Sequence, residues 1–144
     1  MSLRPDRTQL APGLEISRVV TGLWQVADME RGGQLLDRDA AAEAMADYAR
    51  KGFDSFDMAD HYGSAELIAG RFLCIDAMRT GNDRPSVFTK WCPAPGRMTP
   101  EVVRAGIAER LERLGIDTID LLQLHWWMFE HPGYIDAMKE LTAL

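Results

Sequence analysis

Apolar residues follow two periods along this chain, and the two periods take turns. Thr8-Gln9-Leu10 and Leu14-Glu15-Ile16 alternate with period two around Ala11-Pro12-Gly13, which predicts a short hairpin. Val19–Leu23 predicts a first core strand. Asp37 is placed to cap a helix from about Asp39 to Lys51, with Ala41, Ala44, Met45, Tyr48 and Ala49 as its inward stripe and Gly52 as its stop. Phe53–Asp57 predicts a second strand. Ser64 opens a second helix through Leu67, Ile68, Phe72 and Ile75, with Gly81 as its expected end. Ser86–Lys90 is a third strand.

Thr99-Pro100-Glu101 then supplies a capping hydroxyl, a proline in the first turn and an acid near the positive end of the helix dipole. In that helix Val103, Ile107, Leu111 and Leu114 point inward. Arg104, Glu109, Arg110, Glu112 and Arg113 read as mostly outward, and Gly115 ends it. Thr118–His125 predicts a fourth strand and Pro132–Leu144 a fourth helix.

Strand followed by helix, four times over, is the pattern of right-handed crossovers and a parallel sheet covered by helices. Two α/β architectures have this pattern, the doubly wound open sheet and the TIM-type (β/α)8 barrel. The doubly wound dinucleotide fold carries a glycine-rich fingerprint after its first strand. Here Gly22-Leu23-Trp24-Gln25-Val26 stands instead, so the barrel is the preferred reading. Residues 1–18 read as an N-terminal extension with a capping hairpin, and residues 19–144 as the first half of the barrel, an incomplete domain.

Composition narrows the function classes. Sixteen Lys and Arg against 22 Asp and Glu give a net charge of −6. With no basic block, nucleic acid is not an expected partner. No apolar run approaches the roughly 18 residues of a membrane-spanning helix, and the start lacks the apolar core of a secretory signal. Two cysteines, Cys74 and Cys92, are too few for a disulfide scaffold and lack a metal-ligand spacing. The expectation is a cytoplasmic protein with free thiols, no membrane partner and no metal.

The chemistry gathers at one end of the predicted sheet. The last residues of strands two, three and four are Asp57, Lys90 and His125, and Tyr62 follows Asp57 in the next loop. Taken singly, each has an ordinary structural explanation as a turn cap, a packing phenol, a solvated ammonium or a structural imidazole. Together they put a carboxylate, a phenol, an ammonium and an imidazole on one rim, the face on which barrel active sites are built. Asp57 and Lys90 on neighbouring strands are expected to pair, because an isolated desolvated charge costs several kcal/mol. An ammonium beside a phenol makes the phenol a readier proton donor. An imidazole supplies a donor that aims a carbonyl. The set holds no nucleophile–base pair and no metal triad. It suits protonation of a carbonyl oxygen while a hydride arrives from a cofactor.

The stretches GLWQVAD, GFDSFDMADHYGSAE, VFTKWCP and LERLGIDTIDLLQLHW resemble the aldo-keto reductase family, and the similarity runs through almost all of the chain. The resemblance implies NADPH-dependent reduction of aldehydes or ketones. It makes Asp57, Tyr62, Lys90 and His125 the catalytic tetrad, with Tyr62 the acid/base. Gly22, Leu23 and Trp24 match the loop that lies against the cofactor in the family, with Asp57 close to the nicotinamide ribose. The hairpin resembles the plug that closes the barrel bottom. Met58 stands where Thr is more usual, and Trp127 where Pro is common. The family's barrels have eight strand–helix units and this chain holds four, so it is expected to be an N-terminal piece of a longer reductase, lacking the groups that hold the carboxamide and the 2′-phosphate of NADPH. A non-catalytic cofactor-sensing subunit, like the potassium-channel β subunits of the family, and an inactive fragment are the alternatives.

All four tryptophans fall at or near predicted strand ends. Trp24, Trp91 and Trp126 are the expected aromatic walls of a pocket for carbonyl compounds; Trp127 and Phe129 follow them. The other reading is that they pack the barrel top beneath its loops. Cys92 reads as an ordinary small side chain and His61 as a solvated loop histidine. Four units cannot close a barrel, so self-association of the half-barrel is an expected property.

Overall fold

Local sequence chemistry sets most of the element boundaries. The structure, a computed structural model, describes residues 4–28, 36–75 and 84–144. Asp37 Oδ1 accepts the amide hydrogens of Asp39 and Ala40, both at 3.0 Å, and α1 (Arg38–Arg50) starts there. Thr99 Oγ1 accepts from the Val102 amide at the start of α3 (Pro100–Leu114). Gly115, at φ +65°, takes the left-handed conformation that ends α3. The other α-helices among the described residues are α2 (Ala65–Leu73) and α4 (Gly133–Leu141). Gly81, the expected end of the second helix, lies outside the described residues, and α2 ends at Leu73.

The chain begins with an antiparallel hairpin, β1 (Arg7–Ala11) and β2 (Leu14–Ser17). Four parallel strands follow: β3 (Thr21–Gly22), β4 (Ser55–Asp57), β5 (Ser86–Trp91) and β6 (Leu121–Leu124), hydrogen-bonded in chain order. The hairpin is tied to the N-terminal end of β4. The Ser17 amide donates to Ser55 Oγ at 3.0 Å, and Arg7 pairs with Asp54 at 2.7 Å. The opposite, C-terminal ends of the strands are therefore free for the site.

The strands are shorter than their hydrophobic runs. Val19 and Val20 were expected in a core strand, yet β3 begins at Thr21 and Val19 is 50% exposed. Among the described residues β3 has only β4 beside it, and the two valines that precede it are left exposed. Likewise β4 begins at Ser55 rather than Phe53, and β6 at Leu121 rather than Thr118.

The main core lies between the sheet and helices α1 and α2. Phe56 and Val87 pack there with Met45, Ile68, Phe72 and Leu73, and the Phe56 and Phe72 rings meet edge-on at 5.1 Å. A second cluster joins Trp91, Met98, Val103, Trp126 and Ala137 beneath α3 and α4. Helices α2 and α3 approach closely at Gly70, where a β-carbon would lie 2.9 Å from the carbonyl oxygens of Arg113 and Leu114. No helix among the described residues is long and apolar enough to cross a membrane.

Two helix faces differ from expectation. In α1 the buried residues are Ala42, Met45 and Ala46, while Tyr48 is exposed. The helix is alanine-rich on every side, so its periodicity defines no single stripe, and contact with α2 selects the face. In α3, Arg110 was expected to point outward and is only 3% exposed. Its Nε donates to Glu66 Oε2 at 3.0 Å, and Arg113 Nε donates to the same oxygen at 2.7 Å. The Thr89 hydroxyl donates to Glu66 Oε1 at 2.8 Å. A carboxylate buried in α2 draws the arginines of α3 inward, because it must be paired where it lies.

Candidate active site

Strand alternation builds the site floor. Phe56, Val87, Thr89 and Trp91 face the helices, which leaves Asp57 and Lys90 on the other face of the sheet. Register brings Lys90 opposite Gln123 of β6. Lys90 Nζ donates to Asp57 Oδ2 at 2.5 Å and to the Met58 carbonyl at 2.8 Å. Gln123 Nε2 donates to Asp57 Oδ1 at 3.2 Å. Adjacent strands thus contribute amide, ammonium and carboxylate to one linked layer. Gln123 is a member that the sequence reading missed as a site residue, although the period-two spacing from His125 marks its face.

The loop after β4 raises Tyr62 above this layer. Lys90 Nζ lies 5.3 Å from the centre of the Tyr62 ring. Trp24, in the turn after β3, meets Tyr62 edge-on at 4.7 Å, and His61 meets it on another side at 4.9 Å. Gly63, at φ +50°, lets the loop close: a β-carbon there would lie 2.4 Å from the Ala27 carbonyl oxygen. His125 follows β6 directly, and its amide donates to the Trp91 carbonyl at 2.8 Å. Its ring packs against His61 at 5.3 Å and Trp127 at 4.5 Å. Burial, reinforced by His61 and Lys90, holds the imidazole below its ordinary value of 6.5 against the opposing pull of Asp60. It is therefore neutral near pH 7, with one N–H to donate. The structure brings Asp57, Tyr62, Lys90 and His125 to one rim.

The flanking residues divide. Gly22 is exposed at the end of β3, with open space where a side chain would be, and Trp24 stands beside Tyr62. Leu23 reaches the rim only through its backbone, which donates to the Asp57 carbonyl at 2.9 Å; its side chain is in the core. Trp91 and Trp126, expected as pocket walls, lie instead on the helix side of the sheet. The Trp91 ring presses on Gly106 of α3, and Trp126 Nε1 donates to the Met128 carbonyl. Both follow from alternation: one residue past inward-facing Lys90 or His125, a side chain points the other way. Trp127, 66% exposed, is the tryptophan that lies over His125.

Asp60 is the second residue that the sequence reading passed over, although it sits inside the motif containing Tyr62. Its Oδ1 accepts from His61 Nδ1 at 2.9 Å and its Oδ2 from the Cys92 amide at 2.7 Å. Arg110 Nη1 reaches Oδ2 at 3.4 Å. The buried Glu66–Arg110 cluster is thereby joined to the loops of the rim.

Residues 18–144 match the aldo/keto reductase family. The chain is 28% identical over 145 residues to an NADH-specific methylglyoxal reductase from Escherichia coli (strain K12), an alignment covering 91% of this chain and 44% of that enzyme. The crystal structure of a Pseudomonas aeruginosa protein titled a putative aldo-keto reductase superposes with a TM-score of 0.75 at 18% identity, over 100% of this chain and 58% of the other. An aldo-keto reductase from Bombyx mori, solved in complex with NADP, gives a TM-score of 0.62 at 24% identity, over 85% of this chain and 38% of the other. The chain therefore spans less than half the length of the curated relative it matches. The structural neighbours are (β/α)8 barrels, and the four strand–helix units here correspond to part of one. On the match across residues 18–144, this chain belongs to the aldo/keto reductase family.

Proposed function

We propose that this chain is the catalytic part of an NADPH-dependent reductase that converts aldehydes or ketones to alcohols, with Tyr62 as general acid and base, acting in the reducing cytoplasm. The observation that carries the reading is the Lys90 ammonium, held by Asp57 and the Met58 carbonyl and set 5.3 Å from the Tyr62 ring centre. A cation in that place stands beside the ring on which proton transfer to a substrate would leave a negative charge. The bare, exposed face at Gly22, flanked by Trp24 and Asp57, fits a flat nicotinamide ring.

When bound, the nicotinamide supplies a hydride to the carbonyl carbon. Tyr62 gives its hydroxyl proton to the carbonyl oxygen in the same reduction and recovers one in the reverse direction. Asp57 and Gln123 hold Lys90 in place, so that the ammonium stabilises the phenolate left behind. His125, uncharged, donates its N–H to the carbonyl oxygen and aims it at Tyr62. Trp24 packs on Tyr62 and Trp127 on His125, on the two sides of the reacting groups.

The test is Tyr62→Phe in a polypeptide that also carries the remaining barrel strands. Only a hydroxyl is removed, so cofactor affinity stays near the parent value while kcat for a simple aromatic aldehyde falls by about 10² to 10⁴. Reduction at the parent rate would rule out Tyr62 as the acid. Running the parent with NADPH and with NADH decides the cofactor preference.

A further inference from the structure

We propose that His61, Cys92 and His125 form a binding site for a single Zn²⁺ ion with an open fourth position. The three residues arrive from three different strand ends: the loop after β4, the residue after β5 and the residue after β6. One ligand atom from each lies within 4.8 Å of the other two. Two imidazoles and a thiolate are a ligand set that tetrahedral zinc accepts, and one that magnesium and calcium, which take oxygen ligands, do not. With zinc–nitrogen and zinc–sulfur bonds of ordinary length, neighbouring ligand atoms stand roughly 3.4–3.6 Å apart. The cluster therefore needs to contract by about an ångström, a movement within reach of side-chain torsions at solvent-exposed His61.

The surroundings are organised around these atoms. Asp60 accepts from His61 Nδ1, which directs the lone pair of that ring to Nε2, and its other oxygen accepts from the Cys92 amide. A carboxylate orienting a ligand histidine through its second nitrogen is the arrangement that fixes tautomer and ring direction in zinc sites. Arg110 in turn holds Asp60. His125 Nδ1 is buried and has no hydrogen-bond partner among the described residues. Nothing in sequence spacing marks the site, since its members are 31 and 33 residues apart along the chain. On binding, the Cys92 thiol passes its proton to solvent and the sulfur bonds to the metal. No electron is transferred. The inference does not rest on the reductase reading, but the two share His125, so zinc here and a carbonyl at Tyr62 compete for one imidazole.

The experiment is a titration of the untagged, reduced 144-residue chain with Co²⁺, a spectroscopic stand-in for zinc. One equivalent is expected to give intense tetrahedral d–d absorption in the visible and a sulfur-to-cobalt charge-transfer band in the near ultraviolet. Zn²⁺ then bleaches both. Cys92→Ser is expected to lose the charge-transfer band. His61→Ala weakens binding at least tenfold, and Asp60→Asn does so by about 10- to 100-fold, the usual effect of removing an orienting partner. Cys74→Ser and His131→Ala leave the spectrum unchanged. A wild-type chain showing only the weak spectrum of hydrated cobalt overturns the proposal without recourse to any variant. So does a charge-transfer band that survives Cys92→Ser, or one that disappears in Cys74→Ser.

Discussion

Glu66 and Arg110 form an ion pair inside the protein, the Arg110 Nε to Glu66 Oε2 distance being 3.0 Å with the glutamate side chain wholly buried. The pair is 44 residues apart in sequence and joins α2 to α3. Breaking a buried pair from one side costs about 3–5 kcal/mol, because it leaves the other charge desolvated and alone. Glu66→Ala is therefore expected to lower the urea midpoint steeply. Glu66→Met combined with Arg110→Leu is expected to recover much of that loss, since both charges of the pair are then gone and Arg113, the other arginine on Glu66 Oε2, is a quarter exposed and can turn to water. Equal midpoints for Glu66→Ala and wild type would show that solvent or Asp60 already serves Arg110.

At the rim the Asp57–Lys90 pair is less enclosed, with side-chain exposures of 30% and 16%. Lys90→Met leaves the Asp57 side chain, among the described residues, with the Gln123 amide, and water takes part of the lost ammonium's place. A loss of about 1–3 kcal/mol is expected, smaller than at Glu66. Asp57→Asn in the Lys90→Met background is expected to restore some stability. Equilibrium denaturation of the four proteins in this cycle measures the coupling directly.

Gly106 sits where the Trp91 ring crosses α3. An added β-carbon would lie 2.4 Å from Trp91 Cε2. Helix propensity alone favours Ala over Gly by about 1 kcal/mol, while overpacking costs about 1–3 kcal/mol. Gly106→Ala is expected to destabilise on balance and to shift tryptophan emission as Trp91 is displaced. Trp91→Leu makes room, so the double variant is expected to be more stable than Gly106→Ala alone.

The outer edges of β3 and β6 have no strand beside them among the described residues, and Val19, Val20, Trp127 and Phe129 are exposed. Free strand edges next to apolar surface drive association. In light scattering the 144-residue chain on its own is expected to have a mass above that of one 16.2 kDa copy. A monodisperse monomer at high concentration would show that these edges are protected by other means.

The sequence alone carried the parallel strand–helix order, the helix caps at Asp37 and Thr99, the stop at Gly115, and the gathering of Asp57, Lys90 and His125 at one end. Caps are local, made by residues two or three positions apart. Strand alternation needs only a period of two, and successive parallel strands put their ends on one face whatever the details of packing. Tertiary structure alone decided the rest. The alanines of α1 give no preferred side until α2 packs on it. Arg110 reads as a surface residue until Glu66 is seen 44 positions away. Trp91 and Trp126 carry the same chemistry on either face of the sheet, and only the position of the last strand residue assigns them to the helices. The meeting of His61, Cys92 and His125 depends on three loops ending within a few ångströms of one another, because distances across a sheet are set by strand spacing and loop path, neither of which the order of residues displays.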